Sequence, residues 1–250
     1  MNSTDSIRRS PSWAHVLPLA VFMLLNLLPA LVAVDNRALP WWRFAPEHWV
    51  YPVQTMLVGA LLWFYRKQYV FKPYQGFGLA VLLGVVGIVL WCFPAWGYQK
   101  LTVDGTALPS WLKWFGLAAR EDGFDPSFYA DHTGLYVASL GMRFLRMVVI
   151  VPLAEEIFWR GFLMRYVIAD GEDFRRVPFG THDWRAFGVV TICVMLAHNP
   201  VDWLAAWIWG SLVYFLAVRT KSLSACILMH AVANLLLGVY VLFTRQWGYW

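Results

Sequence analysis

Apolar residues in this chain fall into long runs separated by short polar segments. From Ser10 to Val34 no Asp, Glu, Lys or Arg occurs. At about 1.5 Å per helical residue, that run suffices to cross a hydrocarbon layer about 30 Å thick. Further runs cover about 48–65, 76–96, 147–168, 186–198, 201–218 and 223–243. The pattern predicts an all-α fold, a polytopic transmembrane helical bundle of about seven spans. Eight is the alternative count, because residues 134–146 are apolar yet carry Arg143 and Arg146. They read either as an interfacial helix or as the first turns of the next span. Asn199-Pro200 makes a turn, since proline cannot continue a helix without loss of a hydrogen bond. Ser222 is placed to cap the last helix, and Gly76, Gly78, Gly84 and Gly87 point to close helix contact in the third.

Composition sharpens this picture. The chain has 250 residues, 60% hydrophobic and only 14% charged, where a soluble domain carries about 25% charged residues. Its net charge is +5, but the basic residues are spread along the chain, which argues against nucleic-acid binding. Cys92, Cys193 and Cys226 lie in apolar segments at no metal-ligand spacing, and read as small buried hydrophobes. Tryptophans such as Trp41, Trp42, Trp91, Trp96, Trp247 and Trp250 fit interfacial belts. The first run follows Arg8-Arg9 and ends at Leu31-Val32-Ala33, which mimics a cleaved signal peptide. It is longer than a usual signal h-region and is read as an uncleaved anchor. With the N-terminus inside, the inner segments hold eleven basic residues (Arg8, Arg9, Arg66, Lys67, Lys72, Arg165, Arg175, Arg176, Arg185, Arg219, Lys221). The outer ones hold six (Arg37, Arg43, Lys100, Lys113, Arg120, Arg245). That asymmetry favours a cytoplasmic N-terminus.

Charge inside the runs is the feature that needs a function. Glu155, Glu156 and Arg160 sit within the apolar stretch from Met147 to Ile168. A charged side chain near the bilayer centre costs at least about 2.5–3.5 kcal/mol on insertion scales. His198, His230, Asn234 and, more weakly, Asn199 join them as intramembrane polar residues. Glu155 lies roughly 15 Å from the Arg165 end of its helix, His198 roughly 19 Å from Arg185, and His230 roughly 13 Å from Lys221. These anchors share one face of the membrane, so the three groups lie at similar depth. His230 and Asn234 are four apart and lie on one helix face. Glu156 and Arg160, also four apart, can pair along the helix, which assigns Glu155 to the cavity. Arg143 and Arg146 read as snorkelling residues or as neutralisers of nearby acids, and His15, His48, His132 and His182 as ordinary polar residues of loops and helix ends.

Each residue alone has a plain structural reading: an interhelical hydrogen bond for a histidine or an asparagine, a neutralising pair for Glu156 and Arg160. Together at one depth they are the equipment for activating water. A carboxylate can take the proton of water, while imidazole and amide N–H groups can hold a developing oxyanion. No cofactor is required by this scheme. The same set could instead bind Zn2+ through Glu155, His198 and His230, leaving a position for water. No serine or cysteine is obviously paired with a base, so acyl-enzyme chemistry is not favoured. Two other classes compete. One is a proton-coupled transporter using the Glu/His cluster as a relay, which would be expected to carry paired halves. The other is a catalytically idle immunity or scaffolding protein.

Glu155-Glu156-x-x-x-Arg160, a histidine ending the following helix and His230-x-x-x-Asn234 resemble the motifs of the CPBP family of CAAX prenyl endopeptidases and bacteriocin-processing proteins. Arg160-Gly161-Phe162 and Thr220-Lys221-Ser222-Leu223 support the resemblance, which covers roughly residues 147–240. A departure is Val194, where the family usually has Phe four residues before its histidine. The resemblance implies an intramembrane endopeptidase in which Glu155 and His198 activate the water. It further implies that His230 and Asn234 stabilise the oxyanion, with Glu156 and Arg160 in supporting positions. It divides the chain into N-terminal helices with a long polar loop (1–146) and a catalytic helical core (147–250). The layout is also similar to the CAAX protease-related members found with bacterial exosortase systems. That likeness implies the bacterial inner membrane, and a membrane-tethered protein or sorting tail as substrate.

Overall fold

The computed structural model describes residues 10–120 and 123–250. Arg8 and Arg9, which entered the reading of orientation, lie outside the described residues, as do Glu121 and Asp122. Among those described there is no strand. Seven main helices follow the hydrophobic runs: α1 (Pro11–Val32), α2 (Glu47–Tyr65), α3 (Phe77–Leu101), α4 (Thr133–Ala169), α5 (Trp184–Leu196), α6 (Trp203–Thr220) and α7 (Leu223–Thr244). Five helical segments, α1, α3, α4, Pro200–Thr220 and α7, are long and apolar enough to cross a membrane. α5, at 13 residues, is only about 20 Å long, and α2 is less apolar because it carries His48, Gln54 and Thr55.

Large apolar side chains cover the outside of the bundle, and several polar and charged side chains are buried within its apolar core. Leu82, Val85, Val89, Phe93 and Trp96 form an exposed stripe on α3 at helical spacing. Gln54, Arg143, Arg146, Glu156, Arg160 and His230 are buried. So extensive an exposed apolar surface suits a lipid surrounding rather than water. The chain is a multi-pass membrane protein. α7 packs along α3 and against α4 and α6, while α1 lies against α2 and the middle of α4. Glycines make the α3 contacts close: a Cβ on Gly84 would meet the Met229 carbonyl at 2.8 Å, and one on Gly87 the Trp209 ring at 2.8 Å. Ser222 caps α7, its hydroxyl accepting from the Ala225 N–H at 3.2 Å.

α4 is where the sequence reading left a choice. Residues 134–146 are its first turns, continuous with the charged stretch, so α4 runs through the division at 146/147. The helix widens into π turns at Leu145–Ile150 and Trp159–Leu163, on either side of Val151–Phe158. Pro152 gives a cause for the first: it has no N–H, and in a regular α-helix its ring would collide with the carbonyl four residues back. In the widened turn Val151 N–H reaches the Arg146 carbonyl. The Met147 carbonyl, whose partner in that register would be residue 152, is left without a backbone donor.

Several polar and aromatic side chains sit differently from expectation. Arg143 and Arg146 are buried rather than snorkelling. Among the described residues neither forms an ion pair, although Arg146 lies within electrostatic reach of Glu155. Aromatic rings and amide oxygens close around them instead. Trp91 and Trp250 turn inward to line a cavity instead of joining an interfacial belt. His15 and His48 are buried against aromatic rings, His15 with Tyr69 and Phe174, His48 with Phe128 and Tyr129. The cysteines are free thiols, and Cys226 is buried in the core.

Candidate active site

One cavity of about 350 Å³ opens between α1, α3, α4 and α7, and Glu155, His198, His230 and Asn234 all line it. Glu156 and Arg160 do not. They are fully buried behind it. The 100° step between successive helical residues separates the two glutamates: Glu155 projects into the cavity and Glu156 into the helix packing. Among the described residues Glu155 makes no hydrogen bond or ion pair, and its nearest charged influence is the Arg146 guanidinium, which lines the same cavity within electrostatic reach.

Glu156 is the hub of the packing behind the cavity. Its Oε1 accepts from His230 Nδ1 at 2.9 Å and from Arg160 Nη1 at 3.3 Å. Oε2 makes an ion-pair contact with Arg160 Nη1 at 3.2 Å. Arg160 Nη2 in turn donates to the Gly210 carbonyl of α6 at 3.3 Å. One carboxylate thereby joins α4 to α7 directly and to α6 through the arginine.

The ring nitrogens are assigned by their partners. His198 Nδ1 lies 2.7 Å from the Val194 carbonyl in the last turn of α5. A carbonyl only accepts, so Nδ1 carries the proton and Nε2 is an acceptor in the neutral ring. By the same reasoning His230 gives its Nδ1–H to Glu156, leaving Nε2 as its uncommitted nitrogen. Trp91 packs edge-on to His198 and Trp209 edge-on to His230, each with ring centroids 5.3 Å apart. Those rings fix both imidazoles. Asn234 Nδ2 donates to the Met147 carbonyl at 2.6 Å, the group that Pro152 leaves without a backbone partner. The amide keeps a second N–H for other use.

Among the described residues no three His, Cys, Asp or Glu side chains are grouped closely enough to hold a metal ion, Glu155, His198 and His230 included.

Residues 138–236 match the family model described as type II CAAX prenyl endopeptidase Rce1-like. That region is similar to this family. It contains Glu155, Glu156, Arg160, His198, His230 and Asn234, and so supports a CAAX-type intramembrane protease in general terms. No curated protein and no solved structure matches the chain.

The sequence reading passed over two lining residues. Arg143 and Arg146 face the same cavity as Glu155. The signal was available, since intramembrane ionisable groups are functional candidates by default. Leaving residues 134–146 between an interfacial helix and the first turns of the next span hid it.

Proposed function

We propose that this chain is an intramembrane endopeptidase that hydrolyses peptide bonds of membrane-anchored protein or peptide substrates with a glutamate-activated water. The observation that carries the reading is the convergence of Glu155, His198, His230 and Asn234 on one cavity, with Glu155 unpaired among the described residues. Glu155 takes a proton from water as the water oxygen bonds to the scissile carbonyl carbon. His198, through its accepting Nε2, orients that water. The carbonyl electrons move onto oxygen, and Asn234 N–H and His230 stabilise the oxyanion. His230 can donate through Nε2 only with both nitrogens protonated, and Glu156 is then its counter-ion. Collapse of the tetrahedral intermediate breaks the C–N bond, and the proton held by Glu155 passes to the leaving amine. Donors preorganised in a dry cavity are worth far more than in water.

No metal step enters this scheme. The basic-residue asymmetry supports a cytoplasmic N-terminus, and the motif resemblance supports a bacterial plasma membrane. It also supports a sorting tail handled by an exosortase-type system as the substrate. The test is a comparison of membrane-fraction peptides from cells carrying the wild-type chain or Glu155→Gln. Neo-termini present only with the wild type identify the substrate. Identical peptide sets would remove the proposal.

A further inference from the structure

Part of the cavity wall belongs to none of the seven helices. Arg120, from the connection between α3 and α4, Asp202, from the turn before α6, and Gly248, Tyr249 and Trp250, from the segment after α7, all line the space. They meet at Arg120. Its guanidinium forms an ion pair with Asp202, the two side chains being only 11% and 9% exposed. It also lies 3.8 Å from the centroid of the Tyr249 ring. The turn that carries Asp202 leads directly from His198, whose carbonyl accepts from Trp203 Nε1 at 3.1 Å. The segment after α7 is lightly fastened. Among the described residues its backbone N–H groups reach only its own stretch: Trp247 to Arg245, Tyr249 to Gln246 and Trp250 to Trp247. Side chains do the rest, with Gln246 Nε2 donating to the Tyr240 hydroxyl at 2.9 Å and the Trp250 ring 6.3 Å from those of Phe124 and Phe144. This arrangement leaves Arg120 Nε and Trp250 Nε1 buried without a hydrogen-bond partner. An unpaired buried donor opposes the state that buries it. Desolvation offsets much of the attraction within a buried ion pair, so Arg120 and Asp202 fix where the segment sits more than how firmly.

We propose that residues 246–250 form a lid over the cavity, latched where Tyr249 rests on the Arg120–Asp202 pair, and that its opening is the aqueous route to Glu155. The lid rests on the endopeptidase reading only in taking this cavity as the site it guards. Arg245, which leaves α7 with a positive φ of 56°, is the pivot. When the latch parts, both charges and the two unpaired donors gain water, which repays the contacts given up. The helical walls have no such freedom, since α3 and α7 are locked at Gly84 against the Met229 carbonyl. Elements with few backbone bonds to the core are the ones that open below the global unfolding free energy, and lids of this kind commonly control entry to enzyme cavities. Closure also excludes water from the polar groups around Glu155, where their interactions gain strength.

The test is labelling of a cavity thiol by a charged, water-soluble methanethiosulfonate, with the chain in detergent. Ala233 lines the cavity on α7, so Ala233→Cys, with Cys92, Cys193 and Cys226 replaced by alanine, supplies the thiol. Asp202→Asn and Tyr249→Leu should each speed its labelling by about tenfold or more, the scale of one charge-assisted hydrogen bond. Tyr249→Phe keeps the ring on Arg120 and should leave the rate unchanged. A second chain, retaining only Cys226 in the core, should show no rise with the same substitutions. That comparison separates opening of the lid from loosening of the whole bundle. Should Asp202→Asn fail to fold, Tyr249→Leu, which lies outside the helices, carries the comparison alone. An unchanged rate at Ala233→Cys in folded Tyr249→Leu overturns the lid and means that water enters elsewhere. Equal rises at Ala233→Cys and Cys226 overturn it as well. Because labelling requires no cleavage, a latch-dependent rate in a chain that cleaves nothing would remove the protease reading and leave the lid standing.

Discussion

Glu156 accepts a hydrogen bond from His230 Nδ1 at 2.9 Å while the same carboxylate holds Arg160, so a single acid serves both a candidate catalytic imidazole and a buried cation. Breaking a buried ion pair from one side leaves the other charge uncompensated, at about 3–5 kcal/mol. Glu156→Gln should therefore destabilise the protein by about that much. Adding Arg160→Met should restore a large part of the loss. Chemical unfolding in detergent measures both. Additive losses would mean that the pair is not coupled.

The α3–α7 and α3–α6 contacts make a second prediction. Gly84→Ala would drive a methyl group against the Met229 backbone, and Gly87→Ala one against the Trp209 ring. Each should cost about 1–3 kcal/mol through overpacking. Gly78, with open space around it, should accept alanine with no comparable loss, and the same unfolding measurement compares the three.

Asn234 joins structure to chemistry in a way that can be separated. Its amide satisfies the Met147 carbonyl, which Pro152 leaves without a backbone donor. Asn234→Ala should lower stability by about 1–3 kcal/mol for the orphaned carbonyl, as well as slowing cleavage. Pro152→Ala in that background restores a backbone N–H and should recover stability without recovering activity. Recovery of both would show that the amide acts only on the helix.

Much of this was legible in the chain because membranes simplify the code. Long apolar runs located the seven helices, and ionisable residues inside them marked the cavity. The i,i+4 spacing paired Glu156 with Arg160 even though Arg160 lies in the widened turn Trp159–Leu163. What escaped depends on departures from regularity. No periodicity announces that Pro152 opens a π turn, and hence that Asn234 has a carbonyl to satisfy. Arg143 and Arg146 stand far enough from the glutamates in sequence to read as snorkelling residues or neutralisers of nearby acids. Only the continuity of α4 brings them into the cavity.

The most direct test is the rate at which purified Glu155→Gln cleaves a substrate recovered from membranes, beside the wild type and with unfolding followed in parallel. The account predicts a fall of about a hundred- to ten-thousand-fold, the range of a general base, with an unchanged unfolding transition. Cleavage near the wild-type rate by the folded variant would contradict it.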